Sequence, residues 1–287
     1  MSYYRKSVYR SPTGSSKPEV LGSEILQRLL NHDVNLGGSF IEATGSQGSA
    51  KTSVLLFFAE YNMNVYPKEK VFWSNPYKAP MQFLRLQEDQ WHIFVKEGSN
   101  VTFHDRAKRL RQVHPANLSY FKSYDDLYDN AIPGKCNAVF FGDRKEWIDF
   151  MGYIVSVGEW TAVFFDELSE IASGYSSGDD WRKIGEFSLT LKELRKCLVT
   201  CVVNSQSSSD TDHRVRTKLM AKIFLPGAKS DGKSRVHQQA IDNLVVDRQN
   251  GNESWIEMDG RFGLVVWSDV YPPSKVSWEA RCDGLQR

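Results

Sequence analysis

Short apolar runs alternate with segments of helical periodicity along most of the chain. Leu21, Ile25 and Leu29 recur at helical spacing in 21–30, and 53–62 is apolar enough to predict a buried helix. Six apolar runs have the length of buried strands: 39–43, 70–73, 138–141, 161–165, 198–203 and 221–225. Strands separated by helices predict an α/β fold with a mainly parallel sheet, flanked by helices on both faces.

The two ends and one internal stretch depart from this pattern. Residues 1–18 contain four bases, no acid and two prolines, which predicts a flexible basic tail. Residues 19–287 are expected to form a single domain. Within it, 250–287 alternates in short strands around the turn signal Asp259-Gly260, which predicts a small C-terminal β addition. The stretch 75–160 is interpreted as an insertion, and its role stays open between a lid, an oligomerisation arm and a substrate reader.

Composition narrows the class of protein. The chain is 41% hydrophobic and 25% charged, which is typical of globular proteins and argues against a fibre or wholesale disorder. The formal net charge is only +1, so any nucleic-acid binding must come from a local basic patch. No apolar run approaches the roughly 20 residues that cross a bilayer. We therefore expect a cytoplasmic protein without membrane insertion.

A glycine-rich segment lies between the predicted strand at 39–43 and the helix at 53–62. It consists of Gly45, Ser46, Gln47, Gly48, Ser49, Ala50, Lys51 and Thr52, with Ser53 opening the helix. The spacing resembles the phosphate-binding P-loop, Gly, four residues, then Gly-Lys-Ser/Thr, whose backbone N–H groups surround phosphates. We expect Lys51 to reach the β- and γ-phosphates and the Thr52 hydroxyl to ligate Mg²⁺. Ala50 replaces the second glycine, which is tolerable if this residue has helical backbone angles.

A second element supports nucleotide binding. The apolar run at 161–165 ends in Asp166 and Glu167, as the Walker B element of P-loop proteins requires. We expect Asp166 to hold Mg²⁺ and Glu167 to polarise the attacking water. An enzyme that supplies its own water-activating acid is expected to cycle as an ATPase. No Asn-Lys-Xaa-Asp guanine-reading motif occurs in the sequence, which favours adenine and hence ATP.

Residues 39–225 resemble the FtsK–HerA superfamily of DNA-pumping ATPases. The resemblance rests on Asp166-Glu167, the basic helix end at 191–196 and the apolar strand that ends near Gln206, followed by a basic segment. It departs from the family at Ala50, at Ser205 and at Ser208, where Gly, Thr and Pro are usual. The resemblance implies a RecA-like fold.

The resemblance also implies roles and partners. Gln206 stands where the family senses the γ-phosphate. In ring hexamers of the family an arginine of the neighbouring subunit completes the site, and Arg214 and Arg216 match that position best, with Arg195 next. The implied substrate is ATP with Mg²⁺, the implied partner is double-stranded DNA, and the implied assembly is a homo-oligomer, expected to be a hexamer.

DNA contacts must come from local patches. Residues 106–111 contain four bases, and Lys229, Lys233 and Arg235 form a second basic loop that we expect to be flexible. Phosphate contacts of this kind carry no sequence preference, which suits a motor that moves along any DNA. A solvated basic face is the alternative for either patch.

These observations predict an ATP-hydrolysing motor that translocates or packages double-stranded DNA. The small size favours a genome-packaging ATPase of viral type, with a viral capsid as a possible partner and the host cytoplasm or the virion as its location. Two alternatives stay open: a protein-remodelling, export or phage-assembly ATPase, and a slow nucleotide-gated assembly switch. The substitution at Ala50 and the unusual string Asn204-Ser205-Gln206-Ser207 are the best support for the switch.

Overall fold

The computed structural model describes most of the chain. The described residues are 22–76, 81–99, 101–104, 110–111, 115–143, 145–231, 233–247, 251–267 and 279–282. The predicted tail at 1–18 lies outside them, as do residues 105–109 of the first basic patch.

Strands and helices alternate in the order predicted for an α/β fold. The strands are β1 (Phe40–Thr44), β2 (Lys70–Ser74), β3 (Trp91–Lys96), β4 (Val101–His104), β5 (Leu110–Arg111), β6 (Leu118–Phe121), β7 (Cys136–Phe140), β8 (Thr161–Phe165), β9 (Val199–Ser205), β10 (Ala221–Phe224), β11 (Val246–Asp247), β12 (Gly251–Met258), β13 (Arg261–Trp267) and β14 (Glu279–Cys282). The α-helices are α1 (Gly22–Leu30), α2 (Lys51–Val65), α3 (Tyr124–Asn130), α4 (Glu146–Val157), α5 (Gly178–Glu193), α6 (His213–Arg216) and α7 (Gln238–Asp242).

Within the described residues, eleven strands form one sheet. Eight of them are parallel, in the spatial order β10, β1, β9, β8, β2, β7, β3 and β6. Strand β12 pairs antiparallel with β10 and carries β11 and β13 on the sheet's border. The predicted mainly parallel sheet is confirmed.

The sheet separates two apolar layers. Alternate residues of each strand face opposite sides, so Ile41 belongs to the layer that includes α1 and α2, whereas Phe40 belongs to the layer that includes α3, α4, α5 and α6. The central strands β1, β7, β8 and β9 are buried at every position. This two-sided cover explains why their sequences are mostly apolar and do not alternate regularly with polar residues.

The stretch 75–160 contributes directly to the central sheet. Strands β7, β3 and β6 extend it beyond β2, all parallel. Within the described part of the chain, β4 also pairs with β5 and β14 in a separate three-stranded sheet. The stretch 75–160 therefore supplies the three strands of the central sheet that lie beyond β2. The roles of lid, oligomerisation arm or substrate reader stay predictions for its other residues.

The C-terminal hairpin follows the turn signal in the sequence. Strands β12 and β13 are antiparallel, with Asn252 opposite Trp267 at one end and Met258 opposite Arg261 at the other. Asp259 and Gly260 form the turn between them. Both turn residues have positive φ, 51° and 70°, as a two-residue hairpin turn of this class requires. Among the described helices, none has the length and apolar character needed to cross a membrane.

Candidate nucleotide-binding site

The glycine-rich segment joins β1 to α2 at the carboxyl edge of the parallel strands. Gly45 is enclosed, because a Cβ at this position would lie 2.4 Å from Ser49 Oγ and 2.9 Å from Leu225 Cβ. Ser46, Gln47 and Gly48 form the exposed tip of the loop, and α2 begins at Lys51. The segment therefore has the strand–loop–helix setting that a P-loop requires.

Ala50 does not meet the condition under which alanine is tolerated here without strain. Its φ is 73° and its ψ is 20°, in the left-handed region and not the right-handed helical one. An L-residue in this conformation costs about 1–2 kcal/mol, whereas glycine adopts it freely. The strain explains why the P-loop pattern has glycine here, and it shows that this chain holds its loop in the same geometry at an energetic cost.

Lys51 lies across the loop that precedes it. Its Nζ donates hydrogen bonds to the carbonyl oxygens of Gly45 at 2.7 Å and Ser46 at 2.9 Å. Burial lowers the pKa of the Lys51 ammonium, and the negative charges of Glu167 and Asp166 offset part of that effect. The ammonium is thus held at the phosphate-binding loop and faces both predicted acids.

Asp166 is the buried centre of the site. It is 8% exposed and follows β8 directly. Its Oδ1 accepts hydrogen bonds from Thr52 Oγ1 at 3.2 Å and from Asn204 Nδ2 at 2.7 Å. Burial raises the pKa of Asp166 to about 6, although these two hydrogen bonds act in the opposite direction. The predicted Mg²⁺ ligands Thr52 and Asp166 are therefore in direct contact.

These two residues fit a magnesium ion. Mg²⁺ prefers oxygen ligands and is usually held by one or two protein groups together with waters and substrate phosphates. A threonine hydroxyl and a buried carboxylate at 3.2 Å from each other provide that donor set. The energetic cost of burying the Asp166 charge is also what a bound cation would offset.

Glu167 adopts an unusual backbone conformation. Its φ is 96° and its ψ is 87°, and the next residues form a short 3₁₀ turn, Leu168–Glu170. Ser169 Oγ donates a hydrogen bond of 2.6 Å to Glu167 Oε1. Burial raises the pKa of Glu167, and the hydrogen bonds from Ser169 oppose that shift. The strained turn places the carboxylate beside Asp166, where the water-activating role was predicted.

Gln206 follows β9, the strand between β1 and β8. Its side chain is exposed at the carboxyl edge, between the strand ends that carry the P-loop and the two acids. The sheet order thus brings the predicted sensor to the correct edge. Its contact with a γ-phosphate stays a prediction.

Arg214 is held within its own chain. Its guanidinium donates two hydrogen bonds to the Asp212 carboxylate, both at 2.9 Å, and lies 4.2 Å from the ring centroid of Trp181. A further hydrogen bond of 3.0 Å reaches the Trp181 carbonyl oxygen. A catalytic contact with a neighbouring subunit would require Arg214 to exchange these partners, and that role stays a prediction.

The other candidate arginines differ in position. Arg216 lies on α6 with its Nε buried and without a hydrogen-bond partner among the described residues. Arg195 precedes β9 at the amino edge of the sheet, where its Nε donates to the Leu36 carbonyl oxygen at 2.9 Å. Arg195 therefore lies at the opposite edge from the P-loop, so Arg216 is the better second candidate.

Sequence reasoning missed three polar residues of this region. Asn204 orients Asp166, and Ser205 Oγ donates 2.8 Å to Oε1 of Glu42, which is 1% exposed within β1. The sequence signal that could have identified them is the presence of a polar residue inside an otherwise apolar strand, in β9 and in β1. Such residues are buried at a cost unless they are hydrogen-bonded, so each one marks a specific contact.

Comparison with known proteins supports the fold. No family model matches the chain, and neither does any curated protein. Among solved structures, the bacterial conjugative coupling protein TrwBdeltaN70 is similar with a TM-score of 0.54 and 11% identity, covering 92% of this chain and 96% of that one. The genome packaging NTPase B204 from Sulfolobus turreted icosahedral virus 2, in complex with sulfate, has a TM-score of 0.52 and 9% identity, covering 80% and 97%. The same NTPase in complex with AMPPCP has a TM-score of 0.51 and 9% identity, covering 80% and 98%.

The chain therefore has the RecA-like fold of P-loop NTPases. The predicted fold is confirmed, and the resemblance to FtsK–HerA-type ATPases is confirmed at the level of the fold. Sequence identities of 9–11% to these structures support a shared fold and say nothing about the substrate or partner of this chain.

Proposed function

We propose that this protein is an ATPase that moves double-stranded DNA as a homo-oligomeric ring, expected to be a hexamer. The observation that carries the ATPase part is the contact of Thr52 and Asn204 with the same oxygen of Asp166. This contact joins the P-loop helix, the acidic strand end and the neighbouring strand into one site.

Each residue has a role that its position supports. Lys51 binds the β- and γ-phosphates together with the backbone of the loop, and Gln206 contacts the γ-phosphate. Thr52 and Asp166 hold Mg²⁺, which supplies charge neutralisation of the phosphates when it is bound. Glu167 accepts a proton from the attacking water. Arg214, with Arg216 as the second candidate, stabilises the transferred phosphoryl group of the adjacent subunit.

The DNA part rests on the fold and on local charge. Solved structures of similar fold include a genome packaging NTPase and a conjugative coupling protein. In this chain, the segment 213–235 contains seven Lys and Arg residues against one acid, although the whole chain has a net charge of +1. Packaging of a viral genome at a capsid is the setting we favour for such a motor.

The test is the steady-state ATPase rate with and without long duplex DNA at two salt concentrations. We expect DNA to stimulate turnover and salt to weaken that stimulation. Glu167→Gln removes the proton acceptor and should lower kcat by roughly 10²- to 10⁴-fold. Glu186→Gln, a matched change on the surface of α5, should leave kcat unaltered.

The remaining outcomes decide between the alternatives. Turnover that is indifferent to DNA would exclude the DNA motor and support a protein-remodelling or export ATPase. Tight ATP binding with almost no turnover in the wild type would support the nucleotide-gated switch.

A further inference from the structure

The segment between β10 and α7, which the structure describes at residues 225–231 and 233–237, lies at the sheet border. We call it the strap. It leaves β10 at the carboxyl edge, next to the P-loop, because β10 is parallel to β1. It then reaches Glu257, the register partner of Lys222 near the amino end of β10. The strap thus connects the nucleotide edge of the sheet with the opposite edge.

Acidic and amide side chains hold the strap in shape. Asp231 pairs with Lys222 and accepts hydrogen bonds from the backbone N–H groups of Lys233 and Ser234 at 3.1 and 3.0 Å. Glu257 accepts from the backbone N–H of Arg235 at 2.9 Å. The loop expected to be flexible is therefore a constrained structure, which corrects that expectation.

The basic side chains of the strap remain on its outer surface. Lys229, Lys233 and Arg235 are all exposed. The ion pairs found among the described residues include none of these three, because Asp231 is paired with Lys222 and Glu257 contacts the strap backbone. The strap therefore presents three cationic groups in a row whose charge is not neutralised locally.

The strap also contacts the P-loop directly. The backbone N–H and the hydroxyl of Ser46 both donate to the Pro226 carbonyl oxygen at 3.1 Å. Gly227 has φ 77°, and a Cβ there would lie 2.7 Å from both Cβ and Oγ of Ser46. The P-loop tip and the first turn of the strap are therefore in direct contact, with no space for a side chain between them.

We propose that Lys229, Lys233 and Arg235 bind the phosphate backbone of duplex DNA, and that the Pro226–Gly227 turn couples this contact to the nucleotide held by the P-loop. This inference rests on the proposed function, because it assigns the DNA contact of the same motor. Three exposed cations that form no ion pair among the described residues suit the charged phosphate backbone of a nucleic acid.

The charge part is tested by DNA binding of the full chain. The double variant Lys229→Glu/Lys233→Glu should raise the Kd for a 60-base-pair duplex by about 10-fold or more. It should also reduce the slope of log Kd against log salt concentration by about 2. Fluorescence anisotropy of the labelled duplex measures both. Lys68→Glu/Lys122→Glu is the matched control, since both lysines are exposed and the charge change is equal. This control should bind the duplex more tightly than Lys229→Glu/Lys233→Glu does, and its salt slope should equal that of the wild type.

The coupling part is tested at Gly227. If nucleotide state reaches the strap, duplex affinity should differ between AMPPCP and ADP in the wild type, by linkage. Gly227→Ala displaces Ser46 and should reduce this ratio of affinities and raise the KM for ATP by about 10-fold. Gly98→Ala is the control, because Gly98 has φ 80° and open space around its Cβ position. It carries the same backbone strain without touching the P-loop.

The outcomes separate this inference from the proposed function. Wild-type DNA affinity and slope in the double lysine variant would overturn the strap as the DNA contact, while DNA-stimulated turnover would still stand. An unaltered affinity ratio in Gly227→Ala would overturn the coupling. A wild-type protein that hydrolyses ATP but binds no duplex would overturn the proposed function itself and this inference with it, and would direct attention to an acidic protein partner.

Discussion

The two edges of the parallel sheet are built in different ways. The carboxyl edge contains two non-glycine residues with positive φ, Ala50 at 73° and Glu167 at 96°, and a carboxylate, Asp166, buried with its pKa raised to about 6. Each of these features costs folding free energy. Together they surround the place where phosphates and Mg²⁺ are proposed to bind.

The amino edge is packed for stability. The His32 ring lies between the rings of Tyr66 and Trp160, with centroid distances of 3.8 and 4.0 Å and nearly parallel planes. His32 Nδ1 lies 2.6 Å from Glu69 Oε1, and the Tyr66 hydroxyl accepts from the His32 backbone N–H at 3.0 Å. These contacts join the segments that precede β1, β2 and β8.

Non-glycine residues with positive φ occur at both edges, since Leu198 (58°) precedes β9 and Asp259 (51°) follows β12 at the amino edge. The edges differ in that one buries the carboxylate of the candidate site and the other contains the aromatic stack. Strained backbone persists only if the surrounding structure determines it. Here the stacked and hydrogen-bonded amino edge holds the same strands whose opposite ends carry the strained site. Substitutions at the two edges should therefore have opposite signatures, with activity lost at one edge and stability lost at the other.

The largest effect is expected at Asp166. Asp166→Asn should lower Mg²⁺-dependent ATP hydrolysis by 10³-fold or more, because a charged ligand is lost. It should also raise the free energy of unfolding by about 2–3 kcal/mol at pH 7, since the buried charge is removed. Turnover assays and urea denaturation measure the two effects.

The pH dependence checks the sign of this prediction. Because the pKa of Asp166 is raised in the folded state, its contribution to stability is present below pH 4 and is lost as the pH rises to about 6. Asp166→Asn should lack this part of the pH dependence, whereas Asp149→Asn, a surface change, should retain it. Equal pH profiles for Asp166→Asn and the wild type would contradict the buried-charge account.

The second effect is expected at Trp160. Trp160→Ala removes one face of the His32 stack and should lower the free energy of unfolding by about 3 kcal/mol, with kcat/KM for ATP unchanged within about two-fold. Thermal denaturation and ATPase assays measure both quantities. Trp181→Ala, at a tryptophan that is 55% exposed, should cost clearly less stability. A Trp160→Ala protein that is as stable as Trp181→Ala would remove the distinction between the edges.

The third effect is expected at Asn204. Asn204→Ala removes the 2.7 Å donor to Asp166 and should lower kcat by about 10- to 100-fold, because the carboxylate loses its orientation. The KM for ATP should change little, since the P-loop contacts remain. Asn204→Asp keeps the shape of the side chain but adds a negative charge. Its kcat should be lower than that of Asn204→Ala, because it places a second carboxylate beside Asp166. Equal kcat in Asn204→Ala and the wild type would exclude a positioning role.

The smallest effect is expected at Ala50. Ala50→Gly relieves the left-handed strain and should raise the free energy of unfolding by about 0.5–1 kcal/mol, after allowing for the larger entropy of the unfolded glycine chain. Ala59→Gly, within α2, should destabilise the protein instead. Chemical denaturation of the two variants measures these opposite signs. If Ala50→Gly were destabilising, the strain at this position would not limit stability.

The sequence predicted the central strands and the C-terminal hairpin better than the strands within 75–160. The strand at 161–165 and the hairpin turn at Asp259-Gly260 agree with the structure, since fully buried runs and turn glycines are strong local signals. Strands β3 and β6 were missed within 75–160. Strand β6 buries only Phe121 among its four residues, so its sequence contains no apolar run that would have revealed it.

The site shows the same limit at the level of single residues. Lys51, Thr52, Asp166 and Glu167 were predicted because spacing along the chain identifies them. Asn204 was not, because its role depends on which strand lies beside β8 and on the direction of its side chain. The sequence left the backbone angles of Ala50 open, since local sequence indicates a helix start but not the conformation in which the loop meets it.

The sequence by itself determined the α/β class, the central strands and the two motifs of the candidate nucleotide site, because these follow from periodicity and short-range spacing. The tertiary structure decided the order of the strands and the positive φ values of Ala50 and Glu167. It also decided the contact of Asn204 with Asp166 and the contact of Gly227 with Ser46. The contacts that involve side chains join residues 38 to 181 positions apart along the chain. Packing across the sheet specifies them, and no local pattern along the chain encodes such contacts.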